Sequence, residues 1–76
     1  MKQILETIIK NIVEKPDEAI ITEKEEADRT VFEVKVAESD MGRVIGKQGK
    51  VANSIRTLMK ALNGKTSKKI SIEFLD

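Results

Sequence analysis

Val44-Ile45-Gly46-Lys47-Gln48-Gly49-Lys50 is the stretch that decides how this chain reads. Two glycines bracket a lysine and a glutamine, between an apolar pair and a strongly patterned helix. A helix that stops at Gly46 and a second that starts near Gly49 leave a tight turn with few side chains. Glycine adopts backbone angles that other residues avoid, and it lets a second backbone approach closely. The start of the second helix also aims unpaired N–H groups, and the positive end of its dipole, at the turn. Such a place suits an anion held by backbone groups, with Lys47 adding charge beside it. A nucleic-acid phosphate fits that description best.

The charge around this turn supports the same reading. Overall the 76 residues are nearly neutral, with 14 basic and 13 acidic side chains. Their distribution is uneven. Met1 to Asp40 holds six basic and eleven acidic residues, whereas Met41 to Ile72 holds eight basic residues and no acidic one. A basic block of this kind points to a polyanion-binding face. Here it centres on the two-glycine turn.

Seventy-six residues make one small domain, and no linker, repeat or low-complexity run divides it. The chain has no cysteine and no histidine, so thiolate chemistry, the commonest general base and the commonest metal ligand are all missing. No cofactor or metal is expected. Charge interrupts every apolar run from Met1 onward, which argues against a signal peptide or a membrane span and for a cytoplasmic location.

Ile4, Leu5, Ile8, Ile9, Ile12 and Val13 recur at helical spacing, and Pro16 ends that helix. Ala19 to Glu25 and Thr30 to Ala37 read as an antiparallel hairpin across the polar Glu26-Ala27-Asp28-Arg29. Phe32, Val34 and Val36 alternate with Glu33 and Lys35, so one face of that strand is buried and the other is wet. Ser39 or Asp40 is placed to cap a short helix running to about Ile45. After the turn, a longer helix runs to about Asn63 with Val51, Ile55, Leu58, Met59 and Leu62 as its core stripe. Asn63-Gly64 ends it. A last strand follows, with Ile70, Ile72 and Phe74 inward. The expected fold is α+β: helix, strand, strand, helix, helix, strand, with three helices on one face of a three-stranded sheet.

These residues resemble a KH domain, a single-stranded nucleic-acid-binding module, in its type II topology. The likeness sharpens through Lys15-Pro16-Asp17-Glu18, Val36-Ala37, the run from Asp40 to Lys50, and Glu73-Phe74-Leu75-Asp76. Over its full length the chain resembles the KhpA (YlqC-like) family of small bacterial RNA-binding proteins. The resemblance implies that the two-glycine loop clamps the sugar–phosphate backbone of about four nucleotides. Gly46 and Gly49 would shape the clamp, Lys47 and Gln48 would touch phosphates, and Arg43 and Lys50 would flank them. Val44 and Ile45, with Val51 and Ile55, are candidates for the groove floor. Lys65 and Lys68 belong to the variable loop, Asn63 to Lys69, that would close its far side.

The implied partner is single-stranded RNA, with single-stranded DNA as the alternative that a phosphate clamp does not exclude. The implied role is that of an RNA chaperone or post-transcriptional regulator. The resemblance also suggests a homodimer, or a heterodimer with a larger KH-containing protein. The chain has no Trp or Tyr and only two Phe, both at inward strand positions, so base stacking contributes little. Binding is therefore expected to be weak and salt-sensitive.

No enzyme and no small-molecule substrate are expected. A phosphate loop of the form Gly-x-x-x-x-Gly-Lys-Ser/Thr needs four intervening residues. Gly42 and Gly46 are separated by three, and Gln48 stands where the hydroxyl belongs. The stronger competing reading is a KH-fold scaffold that acts mainly by dimerising with a partner. Lys47-Gln48 in the turn, where acidic residues would have marked a degenerate clamp, favours the RNA-binding reading.

Overall fold

α1 (Lys2–Ile12) forms where the first apolar stripe predicts it, and buries Leu5 and Ile9 with Ile8 and Ile12 half-covered. Ile4, expected in the stripe, lies at its margin and is 42% exposed. Val13 turns the chain into extended backbone, and Pro16–Glu18 forms a single 3-10 turn. Residues 1–64 and 68–75 of this computed structural model are described below.

β1 (Ile20–Glu25) and β2 (Arg29–Lys35) pair antiparallel, with Ile21 opposite Val34 and Glu23 opposite Phe32. Glu26 N–H donates to the Arg29 carbonyl at 2.8 Å and closes the hairpin. β2 then pairs in parallel with β3 (Lys69–Leu75), placing Phe32 beside Ile72 and Val34 beside Phe74. The sheet is mixed, with β2 in the centre. Phe32, Val34, Ile21, Ile70 and Ile72 line the face that meets the helices. Strand alternation puts Val31 on the opposite face, which the sequence reads as wet. Val31 is nevertheless buried, flanked in register by Lys24 and Ser71.

The expected second strand ran to Ala37, but pairing stops at Lys35. Val36 and Ala37 stay buried in the link that follows. That link runs through a 3-10 turn at Glu38–Asp40 into α2 (Met41–Ile45). Neither Ser39 nor Asp40 caps α2 with its side chain. Asp40 turns the other way. It is buried, and its carboxylate accepts the backbone N–H groups of Glu14 and Lys15, both at 3.0 Å. One side chain thus ties the end of α1 to the start of α2.

α3 (Lys50–Asn63) buries Ala52, Ile55 and Met59 against the sheet. Leu58 and Leu62, expected in its core stripe, are 47% and 50% exposed. The apolar stripe of α3 is wider than the surface that the sheet and α1 offer it, so its outer margin faces water. Gly64 ends the helix at φ 81°, as the Asn63-Gly64 pair predicts. Asn63 Nδ2 donates to the Lys68 carbonyl at 2.6 Å.

Candidate nucleic-acid interface

Gly46 ends α2 with φ 76° and ψ 174°, its N–H donating to the Gly42 carbonyl at 2.9 Å. Two requirements meet there. A side chain would be strained at that angle, and a Cβ would lie 2.5 Å from Val51 Cγ2 and 2.8 Å from the Val51 nitrogen. Gln48 (φ 56°, ψ 26°) and Gly49 (φ 74°, ψ 15°) are both left-handed, and Gly49 N–H returns to the Gly46 carbonyl at 3.2 Å. At Gly49 the angle alone favours glycine, because a Cβ would meet nothing nearer than Asn53 Nδ2 at 3.8 Å. For Gln48 the left-handed angle costs roughly 1–2 kcal/mol. The turn is thus a tight left-handed bend that hands the chain directly to α3 at Lys50.

The side chains divide by depth. Lys47, Gln48 and Lys50 are exposed, and neither lysine has an ion pair among the described residues. Ile45 and Val51 are half-buried, with their inner sides against the core, and they flank the turn as its apolar border. Val44 corrects the sequence reading. It is completely buried in the core beside Ile55 and has no surface to offer a ligand. Of the two neighbours on α2, Val44 points fully into the core and Ile45 packs against its margin.

Arg43 is half-exposed but already engaged. Its Nη2 pairs with the Glu14 carboxylate, and its Nε lies 3.5 Å from Asp40 Oδ1. The N–H donors of Glu14 and Lys15 hold the Asp40 carboxyl below its ordinary range, against the burial that alone would raise it. Lys68 is also engaged, with its Nζ 2.8 Å from Glu25 Oε2. That contact, with the Thr30 hydroxyl at 3.0 Å, lowers the Glu25 carboxyl. Lys65 lies outside the described residues.

Arg56 was not singled out as a site residue from the sequence. Its Nε donates to the Ile72 carbonyl at 3.2 Å, on the edge of β3 that faces away from β2. Its Nη1 donates to Asn53 Oδ1 at 3.0 Å, and the guanidinium sits 5.3 Å from the Phe74 ring centre. With Lys60, Ile70, Ser71 and Ile72 it lines a cavity of about 220 Å³ between α3 and that edge. The available signal was the spacing of Asn53, Arg56 and Lys60, which places three polar side chains along one side of α3. Phe32 is core and Phe74 lies under Arg56, so neither ring is free to stack on a base.

The fold recurs in a solved structure of Aquifex aeolicus Era bound to GDP.AlF4-, with a TM-score of 0.60 at 17% identity. The match covers 97% of this chain and 30% of that one, so this chain spans about a third of its length. Closer relatives are full-length matches. "RNA-binding protein KhpA" of Clostridium acetobutylicum is 47% identical over 75 residues, covering 99% of this chain and all of that protein. The protein of the same name from Listeria monocytogenes is 40% identical over the whole of both chains. That of Chlamydia trachomatis is 36% identical, over all of this chain and 97% of its own. Residues 2–74 match the family described as "KhpA/KhpB, KH domain", and with the mixed sheet and the glycine-bounded turn now in view, this chain belongs to that family.

Proposed function

We propose that this domain binds single-stranded RNA, gripping the sugar–phosphate backbone with the Gly46–Gly49 loop. The observation that carries the reading is the loop itself. Its left-handed backbone leaves Lys47 and Lys50 exposed, without carboxylate partners among the described residues, beside the N-terminus of a 14-residue helix. Backbone N–H groups, helix dipole and ammonium charge all favour an anion there. The names of the relatives, RNA-binding protein KhpA, support RNA as the polymer. In this reading the domain is a binding module and not an enzyme. It serves as an RNA chaperone or post-transcriptional regulator in the cytoplasm. Among the described residues, no helix is long and apolar enough to cross a membrane.

Self-pairing, or pairing with a larger KH-containing protein, belongs to the same proposal. The half-exposed Leu58 and Leu62 on α3 support it, since a partner surface would cover them. Pairing would double the site and raise avidity without new contacts.

The test is fluorescence anisotropy with a labelled mixed-sequence single-stranded RNA, comparing the wild type with Lys47→Asp/Gln48→Asp. Circular dichroism establishes that both are folded. A folded double variant that has lost binding supports the loop as the clamp. Equal binding by both would move the attraction to the wider basic surface of α3. No binding by either, even at low salt, would favour the scaffold reading.

A further inference from the structure

The cations grouped around the loop are not equivalent. Lys47 and Lys50 stand without ion pairs among the described residues, whereas Arg43, in the helical turn before the loop, is held by two carboxylates. The two differ in kind. Asp40 is 1% exposed and fixed by two backbone donors, so it presents a positioned carboxylate 3.5 Å from Arg43 Nε. Glu14 is 68% exposed at its side chain and anchored only through its backbone, whose N–H donates to Asp40 Oδ1. Asp40 therefore presents Glu14 to Arg43 without burying the pair.

We propose that Glu14 is an internal competitor for the RNA backbone: its carboxylate occupies the Arg43 Nη2 donor that a phosphate oxygen would otherwise take. The inference rests on the RNA-binding reading and deepens it. Guanidinium recognises carboxylate and phosphate with the same planar fork, so the two anions are interchangeable at this position. An exposed ion pair is weak enough for a ligand to displace. Asp40 Oδ1, 3.5 Å from Nε, is a second anchor that does not depend on the Glu14 carboxylate. The exchange weakens RNA binding without altering the loop, because a phosphate that takes the Nη2 donor must first expel the Glu14 carboxylate.

The experiment is a double-mutant cycle on the full chain, read by anisotropy with a fluorescein-labelled single-stranded 12-nucleotide RNA. The proteins are wild type, Glu14→Gln, Arg43→Gln and the double variant, with Glu18→Gln as a control for the loss of one negative charge. Glu14→Gln is expected to tighten binding about two- to five-fold, the size of an exposed ion pair. That gain should vanish in the Arg43→Gln background, and Glu18→Gln should give less than half of it. Equal affinity for wild type and Glu14→Gln overturns the proposal. So does a gain that persists without Arg43, or one that Glu18→Gln matches. If Arg43→Gln is unfolded by circular dichroism, Arg43→Lys replaces it, and the gain should then shrink because a single ammonium lacks the fork. If wild type and Glu14→Gln both fail to bind, the RNA reading falls and takes this inference with it. Binding by wild type that Lys47→Asp/Gln48→Asp abolishes, with no effect of Glu14→Gln, sinks the inference alone.

Discussion

At Gly46 a missing side chain fixes the shape of the whole loop. The Val51 backbone nitrogen and Cγ2 occupy the volume that a Cβ would fill, and φ is positive as well. Gly46→Ala must push Val51 back or abandon the turn. Overpacking of this sort costs about 1–3 kcal/mol, before the strain of the angle is added. A urea titration should show that loss, together with weakened RNA binding. An unchanged midpoint would mean that α3 shifts freely at its first turn. The glycine-bounded turn was legible in the sequence, because glycine is the residue that adopts such angles freely, whereas the contact with Val51 that closes Gly46 to any side chain was not. The burial of Val44 was not, because periodicity is undefined over the five residues of α2.

Between elements, the join of α1 to α2 depends on one buried carboxylate. Asp40 titrates below its ordinary 3.8 in the folded chain, chiefly through the Glu14 and Lys15 N–H donors. A carboxyl lowered on folding contributes stability that is complete above the unfolded value and disappears as pH falls through the folded one. Thermal melts should therefore hold steady at neutral pH and decline as the pH drops through 3.8 and below. Asp40→Asn should lower the melting temperature at neutral pH by several degrees and flatten that acid limb. A parallel decline in both proteins would assign acid sensitivity elsewhere. Glu25 and Asp28 are lowered too, by Lys68 and Arg29 respectively, but both are exposed and contribute little. The sequence offered Ser39 or Asp40 as a cap for α2, whereas Asp40 serves the end of α1, through partners that lie 25 and 26 positions away. The hairpin, the third strand and the helix ends were legible from local turn chemistry and alternation, whereas the parallel pairing of β3 with β2 was not. The exposure of Leu58 and Leu62 was not, since spacing reveals an apolar stripe but not how much of it the neighbouring layer covers.

Across the whole molecule, the acidic first half and the basic second half meet in specific contacts: Glu14 with Arg43, and Glu25 with Lys68. The sequence showed the imbalance but not that two of its cations are internally balanced. Binding in the proposed mode is carried by few charges. If Lys47, Lys50 and Arg43 each neutralise one phosphate, log K should fall with log salt at a slope of about −2 for a single strand. Lys47→Gln should make that slope shallower by about 0.7. A much steeper wild-type slope would show that the lysines of α3 and the following loop take part generally.

The parallel pairing of β2 with β3 has a consequence for when the protein becomes competent. β3 follows the loop and α3 in the chain, yet its Ile70 and Ile72 complete the surface on which α3 lies. The Gly46–Gly49 turn, α2 and α3 all belong to the crossover between those two strands. A chain still attached to the ribosome, with residues 69–75 inside the exit tunnel, has made every residue of the loop but has no finished sheet to support it. In the proposed mode of binding, the loop therefore gains its support only once β3 has paired with β2.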